Sequence, residues 1–174
     1  MAIPNYSTLI ILICGYPGVG KTTLANELAP LINAVILSTD KIRKELLDEP
    51  IYSVEEKKLI YDILLLISKY IHNAGVSCIL DATFYEQKSR DEIKKRLNLK
   101  NDQFKIIECI CPEGRVISRL QNRKNDYSDA DLTIYKRIKE MYEPIKEKHI
   151  TVDTSQPLKE IVSEVVNKIQ DYES

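Results

Sequence analysis

The stretch LIILICGYPGVGKTTLANEL, residues 9–28, runs from a short apolar segment through a glycine-rich turn into a helical pattern. The apolar residues at 9–14 are consecutive rather than alternating, as in a strand buried on both faces. Gly15, Gly20, Lys21 and Thr22 then fit the spacing G-x-x-x-x-G-K-[ST], which describes a loop that wraps phosphate. Gly15 and Gly20 permit backbone turns that a side chain would block, and Gly18 adds further freedom. The loop amides then point inward, and the start of the helix contributes a partial positive charge. Lys21 reaches β- and γ-phosphate oxygens, and the Thr22 hydroxyl is placed to ligate Mg²⁺. The nucleotide-binding set is therefore Gly15, Gly18, Val19, Gly20, Lys21, Thr22 and Thr23. Chance would produce the pattern in roughly one chain of this length in a few hundred, so the strand–loop–helix context reads as a nucleoside-triphosphate site.

Outward from that loop, short apolar runs alternate with amphipathic stretches. Strands are expected at 8–14, 34–38, 76–81, 104–111 and 149–155. Helices are expected from Gly20 to Ile32, from Asp40 to Leu47, from a Ser53 N-cap to about Gly75, from Glu86 to Leu97, at 113–124, at 129–142 and from Leu158 to Ile169. Ser53 and Glu56 have the spacing of a capping box. Strands separated by helices imply right-handed crossovers and a parallel sheet covered on both faces. The fold class is α/β: one P-loop NTPase domain over residues 1–174, five parallel strands, and an arginine-bearing helical lid at about 112–130. No linker, repeat or low-complexity segment divides the chain.

A phosphate loop does not choose a reaction, so the remaining polar positions matter. No N-K-x-D segment is present to read guanine, which points to ATP. In STDKIRKEL (38–46), Asp40 and Arg43 are three apart and share a helical face. At the C-terminal end of a parallel strand, that carboxylate would accept the proton of an acceptor hydroxyl while the arginine holds an anion. Spacing leaves open the plainer reading, in which Asp40 caps the helix and Arg43 is a surface charge. CILDAT (78–83) ends an apolar strand in Asp81, placed as a Walker-B carboxylate would be, to hold Mg²⁺ through water or to bind the acceptor. Thr83 lies just beyond it. Arg115, Arg119 and Arg123 recur at i, i+4 and i+8, a spacing that suits either closure over ATP or a solvated face of ion pairs.

Together these segments resemble the P-loop kinases that include polynucleotide 5′-hydroxyl kinases and zeta-toxin-like kinases. The resemblance rests on GYPGVGKTT (15–23), STDKIR (38–43), ILDATFYEQKSR (79–90) and SRLQNRKNDYSDADL (118–132), in the family's order. It implies ATP and Mg²⁺ at Lys21 and Thr22, Asp40 as base with Arg43 beside it, and Arg119 and Arg123 as lid arginines acting in catalysis. It also implies Asp81, Thr83 and Arg90 as acceptor-binding residues. The acceptor would be a polynucleotide 5′-hydroxyl end or a small metabolite. Two other functions fit a phosphate loop: a nucleoside-monophosphate kinase, which needs no base, and a non-catalytic switch controlled by bound ATP.

Composition excludes little beyond this. The chain is 174 residues long with 44% hydrophobic and 29% charged residues and a formal net charge of −1, so no overall basic field draws it to nucleic acid or membrane. The run Lys94, Lys95, Arg96 reads as a solvated helix face. The apolar run near the N-terminus is too short for a signal peptide or a membrane span. Cys14, Cys78, Cys109 and Cys111 lack zinc spacing and read as free thiols of a cytoplasmic protein.

Overall fold

Five apolar runs become five strands because each supplies side chains to both faces of one sheet. A computed structural model describes residues 8–122 and 128–171. The strands are β1 (Ile10–Cys14), β2 (Ala34–Ser38), β3 (Ser77–Asp81), β4 (Phe104–Ile110) and β5 (Ile150–Asp153), in the order β2-β3-β1-β4-β5. All the pairings are parallel. The expected α/β class is therefore what the chain adopts. β1 is central and buried at all five positions, whereas β2 lies at an edge and leaves Val35 exposed. That difference follows from the number of neighbours each strand has.

The helices are α1 (Lys21–Leu28), α2 (Thr39–Leu46), α3 (Val54–Asn73), α4 (Gln87–Arg96), α5 (Glu113–Gln121), α6 (Leu132–Met141) and α7 (Leu158–Asp171). Side chains alternate across the sheet. Ile11 and Ile13 join Leu24 and Leu28 of α1 and Val165 and Ile169 of α7 in one apolar layer. Ile10 and Leu12 join Ile60 and Leu64 of α3 and Ile93 of α4 in the other. Burying a side chain of this kind contributes roughly 1.5–3 kcal/mol, so the two layers hold the sheet between them.

Several boundaries differ from expectation. The first helix was expected to reach Ile32, but α1 stops at Leu28 and residues 29–31 form a 3₁₀ turn. Pro30 has no N–H to continue the α-helical ladder. The helix expected at 113–124 ends at Gln121, and the one expected from 129 begins at Leu132 because Asp131 caps it, accepting from the Ile134 N–H. At Ser53 only half of the capping box forms. The Glu56 N–H donates to Ser53 Oγ at 3.1 Å, but the Glu56 carboxylate turns elsewhere.

The thiols of Cys14, Cys78 and Cys109 are buried, and burial pushes each up to about 12. Cys111 is half-buried. Arg96 pairs with Asp62, and Lys94 with Asn101, so these two members of the basic run are engaged on the surface of α4. No described helix is long and apolar enough to cross a membrane.

Candidate active site

Sheet register brings the candidate residues to one edge. Asp81 aligns with Ile13 of β1 on one side and with Ser38 of β2 on the other. The glycine-rich loop therefore starts two residues past Asp81's partner, and Asp40 stands two residues past Ser38. Adjacent strands lie about 4.8 Å apart, so loop, carboxylate and α2 form a continuous C-terminal rim. The chain order reverses beside β1, the kind of switch point at which open α/β sheets bind ligands.

The loop is held from below and from the side. Gly15 has φ +133°, and a Cβ there would stand 2.4 Å from the carbonyl oxygen of Cys109 in β4. Gly18, at φ +80°, packs its backbone against Leu120 and Val116 of α5, where a Cβ would come within 2.9 Å of Leu120. The Val19 side chain is buried in the apolar layer, so only its backbone belongs to the loop's surface. Gly20 caps α1 without any side-chain hydrogen bond, leaving the first-turn amides of Lys21, Thr22 and Thr23 without a side-chain cap. Lys21 Nζ donates to the carbonyls of Gly15 (3.1 Å) and Tyr16 (3.0 Å), which lays the ammonium across the loop.

Thr22 Oγ1 donates to Asp81 Oδ2 at 2.7 Å, joining loop and β3 across 59 residues of sequence. Asp81 is 3% exposed. A hydroxyl and a buried carboxylate in contact form an oxygen donor pair of the kind Mg²⁺ takes alongside substrate phosphates. Thr83 meets the loop through its backbone, its carbonyl accepting from the Gly15 N–H at 3.4 Å.

On the β2 side, Arg43 is a buried hub rather than a surface charge. Its Nε donates to Glu56 at 2.8 Å and its Nη1 to Asp40 at 3.2 Å, and its guanidinium lies 4.7 Å from the centre of the Tyr52 ring. Ser38, not Asp40, is the N-cap of α2. Asp40 sits in the first turn with its side chain 37% exposed, so it is the more open end of the Asp40–Arg43–Glu56 chain. The other Glu56 oxygen accepts from the N–H groups of Ile51 (2.7 Å) and Tyr52 (3.0 Å). Burial opposes charge on Glu56, but these two N–H groups and Arg43 prevail and hold its carboxyl below the ordinary range.

That direction sets a pH dependence. A carboxylate whose folded pKa is depressed stabilises the fold above its unfolded pKa, about 4.3 for glutamate, and that contribution disappears as pH falls through the folded value. Glu56→Gln is therefore expected to lower the unfolding temperature at pH 7 and to differ progressively less from wild type as pH is taken towards about 3. Thermal melts of both proteins across that range provide the measurement; a gap that stays constant would show that the charge of Glu56 is immaterial.

Arg90 is turned inward. It is fully buried, with Nη1 donating to the Phe84 carbonyl at 2.6 Å and Nη2 to Gln87, Glu143 and Pro144 at 2.9, 2.8 and 3.1 Å. A guanidinium enclosed in this way is a clamp that ties the β3–α4 loop to the chain leaving α6. The family likeness implies a place at the acceptor; the structure shows its Nη atoms directed to these contacts.

On the β4–β5 side, the arginine face of α5 meets the loop that follows β5. Arg119 donates to the Thr154 carbonyl at 2.8 Å and to its hydroxyl at 3.2 Å, and Arg115 to the Ser155 carbonyl at 2.9 Å. A Cβ on Gly20 would lie 3.4 Å from Arg119 Nη1, so Arg119 borders the glycine-rich loop. α5, which begins the stretch expected to form a lid, is anchored at this point, since Val116 is fully buried in the core. Arg123 lies outside the described residues. Past residues 123–127, Asp129 reaches back to α2: it accepts from Lys44 at 2.6 Å and from the Tyr52 hydroxyl.

Glu56, Tyr52, Asp129 and Thr154 are thus site neighbours that the sequence reading did not single out. Glu56 carried a signal, its capping-box spacing, but that signal pointed to the helix start. Tyr52 has φ +56° at a non-glycine position, which nothing in the linear pattern marks.

The family model described as an AAA domain matches residues 10–145. An uncharacterised protein of Mycobacterium tuberculosis is 27% identical over 137 residues, covering 72% of this chain and 28% of the relative. The chain thus spans little more than a quarter of that relative's length. A probable gluconokinase of Dictyostelium discoideum is 24% identical over 176 aligned positions, covering 93% of this chain and 86% of the relative. Among solved structures, the Mycobacterium tuberculosis APS kinase in complex with AMPPNP and APS superposes with a TM-score of 0.72 at 16% identity, covering 95% of this chain and 99% of that one. The fold is therefore that of P-loop kinases.

Proposed function

The chain belongs to the AAA domain family, and from that premise we propose that it is an ATP-dependent kinase that moves the γ-phosphoryl group onto a hydroxyl acceptor. The observation that carries this reading is the 2.7 Å hydrogen bond from Thr22 to Asp81, with Asp40 one strand further along the same rim. This arrangement supports a nucleotide site beside an open carboxylate, as phosphoryl transfer to a hydroxyl requires.

In this reading the ATP phosphates enter the glycine-rich loop, where the Lys21 ammonium exchanges the Gly15 and Tyr16 carbonyls for phosphate oxygens. Thr22 and Asp81 would hold Mg²⁺, whose chemistry is to neutralise charge on the phosphates. Asp40 accepts the proton of the acceptor hydroxyl as its oxygen bonds to the γ-phosphorus. The bond from that phosphorus to the β–γ bridging oxygen breaks, and ADP leaves. Arg119, bordering the loop, faces the nucleotide; its tie to Thr154 orients it. The resemblance to polynucleotide kinases and the gluconokinase relative suggest two acceptor classes, a polynucleotide 5′-hydroxyl and the hydroxyl of a small metabolite.

The test is transfer of label from γ-labelled ATP to a panel of 5′-hydroxyl oligonucleotides, nucleosides, nucleotides and sugars. Label bonded to an acceptor oxygen is the expected result. Label released only as inorganic phosphate, or tight ATP binding with no turnover, would count against a kinase and for an ATPase or a switch.

A further inference from the structure

The peptide that joins Val19 to Gly20 is held from outside the glycine-rich loop, and its hold bears on how the loop meets phosphate, an inference that rests on the nucleotide reading above and not on the choice of acceptor. Thr154, the first residue past β5, donates its hydroxyl to the Val19 carbonyl. Val19 is fully buried, so water does not reach that carbonyl. The same hydroxyl lies 3.2 Å from the Ile110 carbonyl, which already accepts the Thr154 N–H at 2.9 Å. A hydroxyl has one proton to give and two lone pairs with which to accept. Arg119 Nη1 donates to this one at 3.2 Å, while Nη2 donates to the Thr154 carbonyl at 2.8 Å. A chain of donors thus runs from the Arg119 guanidinium through the Thr154 hydroxyl to the Val19 carbonyl, each link polarising the next. The turn that carries Thr154 is itself fixed. The Ser155 N–H donates to the Asp153 carboxylate at 2.9 Å, and the Gln156 N–H to the Asp153 carbonyl at 3.2 Å.

A trans peptide is planar, with its C=O and N–H pointing in opposite directions. Holding the Val19 carbonyl on Thr154 therefore turns the Gly20 N–H away from Thr154. Gly20 is fixed on its other side as well, since its carbonyl accepts the Leu24 N–H at 3.1 Å. A Cβ on Gly20 would lie 3.4 Å from Arg119 Nη1 and 3.6 Å from the Thr154 side chain, so both stand on that one side of the residue.

We propose that Thr154 is a positioning residue for the nucleotide: its hydroxyl, braced by Arg119, aims the Gly20 N–H into the loop to meet phosphate. Thr154 acts on phosphate only through this peptide. Phosphate accepting from the N–H makes the carbonyl a better acceptor, so the two bonds strengthen each other.

The experiment measures, on the full chain with Mg²⁺, the Kd of ADP and of inorganic tripolyphosphate, and follows the Gly20 amide proton by NMR. Thr154→Val keeps the shape of the side chain and the backbone bond to Arg119 but removes the hydroxyl. It is expected to weaken both ligands by about tenfold, while Thr154→Ser stays within about threefold of wild type. The Gly20 amide proton should move downfield as tripolyphosphate saturates the wild-type and serine proteins, and move less in the valine protein. If Thr154→Val does not fold, Thr154→Cys replaces it, because a thiol is a weak donor, and it should bind both ligands less tightly than Thr154→Ser. Unchanged affinities in a folded Thr154→Val protein would overturn the inference. A serine protein as weak as the valine one would also overturn it, by assigning the effect to the lost methyl contact. Loss confined to ADP would move Thr154 to the base and overturn it too. A wild-type protein that binds neither ligand would overturn the nucleotide reading and this inference with it.

Discussion

Asp40→Asn is expected to lower kcat for acceptor phosphorylation by about 10²–10⁴-fold, the range for loss of a general base, while ATP binds as before. The substitution keeps the size and shape of the side chain and removes its capacity to take a proton. Asp40 sits in the first turn of α2, half-open to the rim, and among the described residues its side chain bonds to Arg43. Arg43 keeps its second partner, Glu56, in the variant, so α2 and the 47–53 connection hold their places. The nucleotide loop is held by contacts to Cys109, Asp81 and Thr83, none of which involves Asp40. The deficit should therefore appear in transfer and not in ATP affinity or unfolding temperature. Measured transfer rates equal to those of wild type would remove Asp40 from the reaction. They would favour a phosphate acceptor, as in a nucleoside-monophosphate kinase, where no base is needed.

Gly15→Ala should produce the largest loss of stability among substitutions in the loop. Its added methyl would stand 2.4 Å from the Cys109 carbonyl oxygen, and φ +133° is a conformation that alanine rarely adopts. Neither strain has an outlet. The carbonyl belongs to a central strand, and the Gly15 N–H is directed to the Thr83 carbonyl. Backbone strain of about 1–3 kcal/mol and overpacking of about 1–3 kcal/mol together imply a fall in unfolding temperature of about 5–20 °C for a domain of this size. Nucleotide binding should fail with it, because the loop must shift to accommodate the methyl. Gly114→Ala supplies the contrast. Gly114 lies in α5 with open space around it, so its replacement should stabilise by up to about 0.5–1 kcal/mol. Paired melts that show both proteins shifting in the same direction would contradict this account of the loop.

The parts of the site that lie close together in sequence were the parts that could be read from it. The glycine spacing at 15–20 encodes backbone angles, and backbone angles are local. The position of Asp81 at the end of an apolar run was equally visible. Its partner was not, since the Thr22 hydroxyl reaches it from another element across the sheet. The Asp40–Arg43 pair was legible as a shared helical face, yet two readings stayed open because helical spacing says nothing about burial. Contact with Glu56, 13 residues on and beyond a turn at Tyr52, decided that Arg43 is enclosed. Arg90 went the other way. A motif resemblance assigned it to the acceptor, and packing against the chain after α6 put it inside.

The amino-acid sequence by itself determined the alternation of strands and helices, the phosphate loop and the set of carboxylates at strand ends, because periodicity and glycine placement act over a few residues. Only the tertiary structure decided which charges neutralise one another. Arg43 is paired with Glu56, Lys44 with Asp129, and Arg119 is turned onto Thr154, each through a contact between elements that the fold brings together. Coulombic interaction and desolvation depend on distance and burial, and both are properties of the packed chain rather than of its spacing.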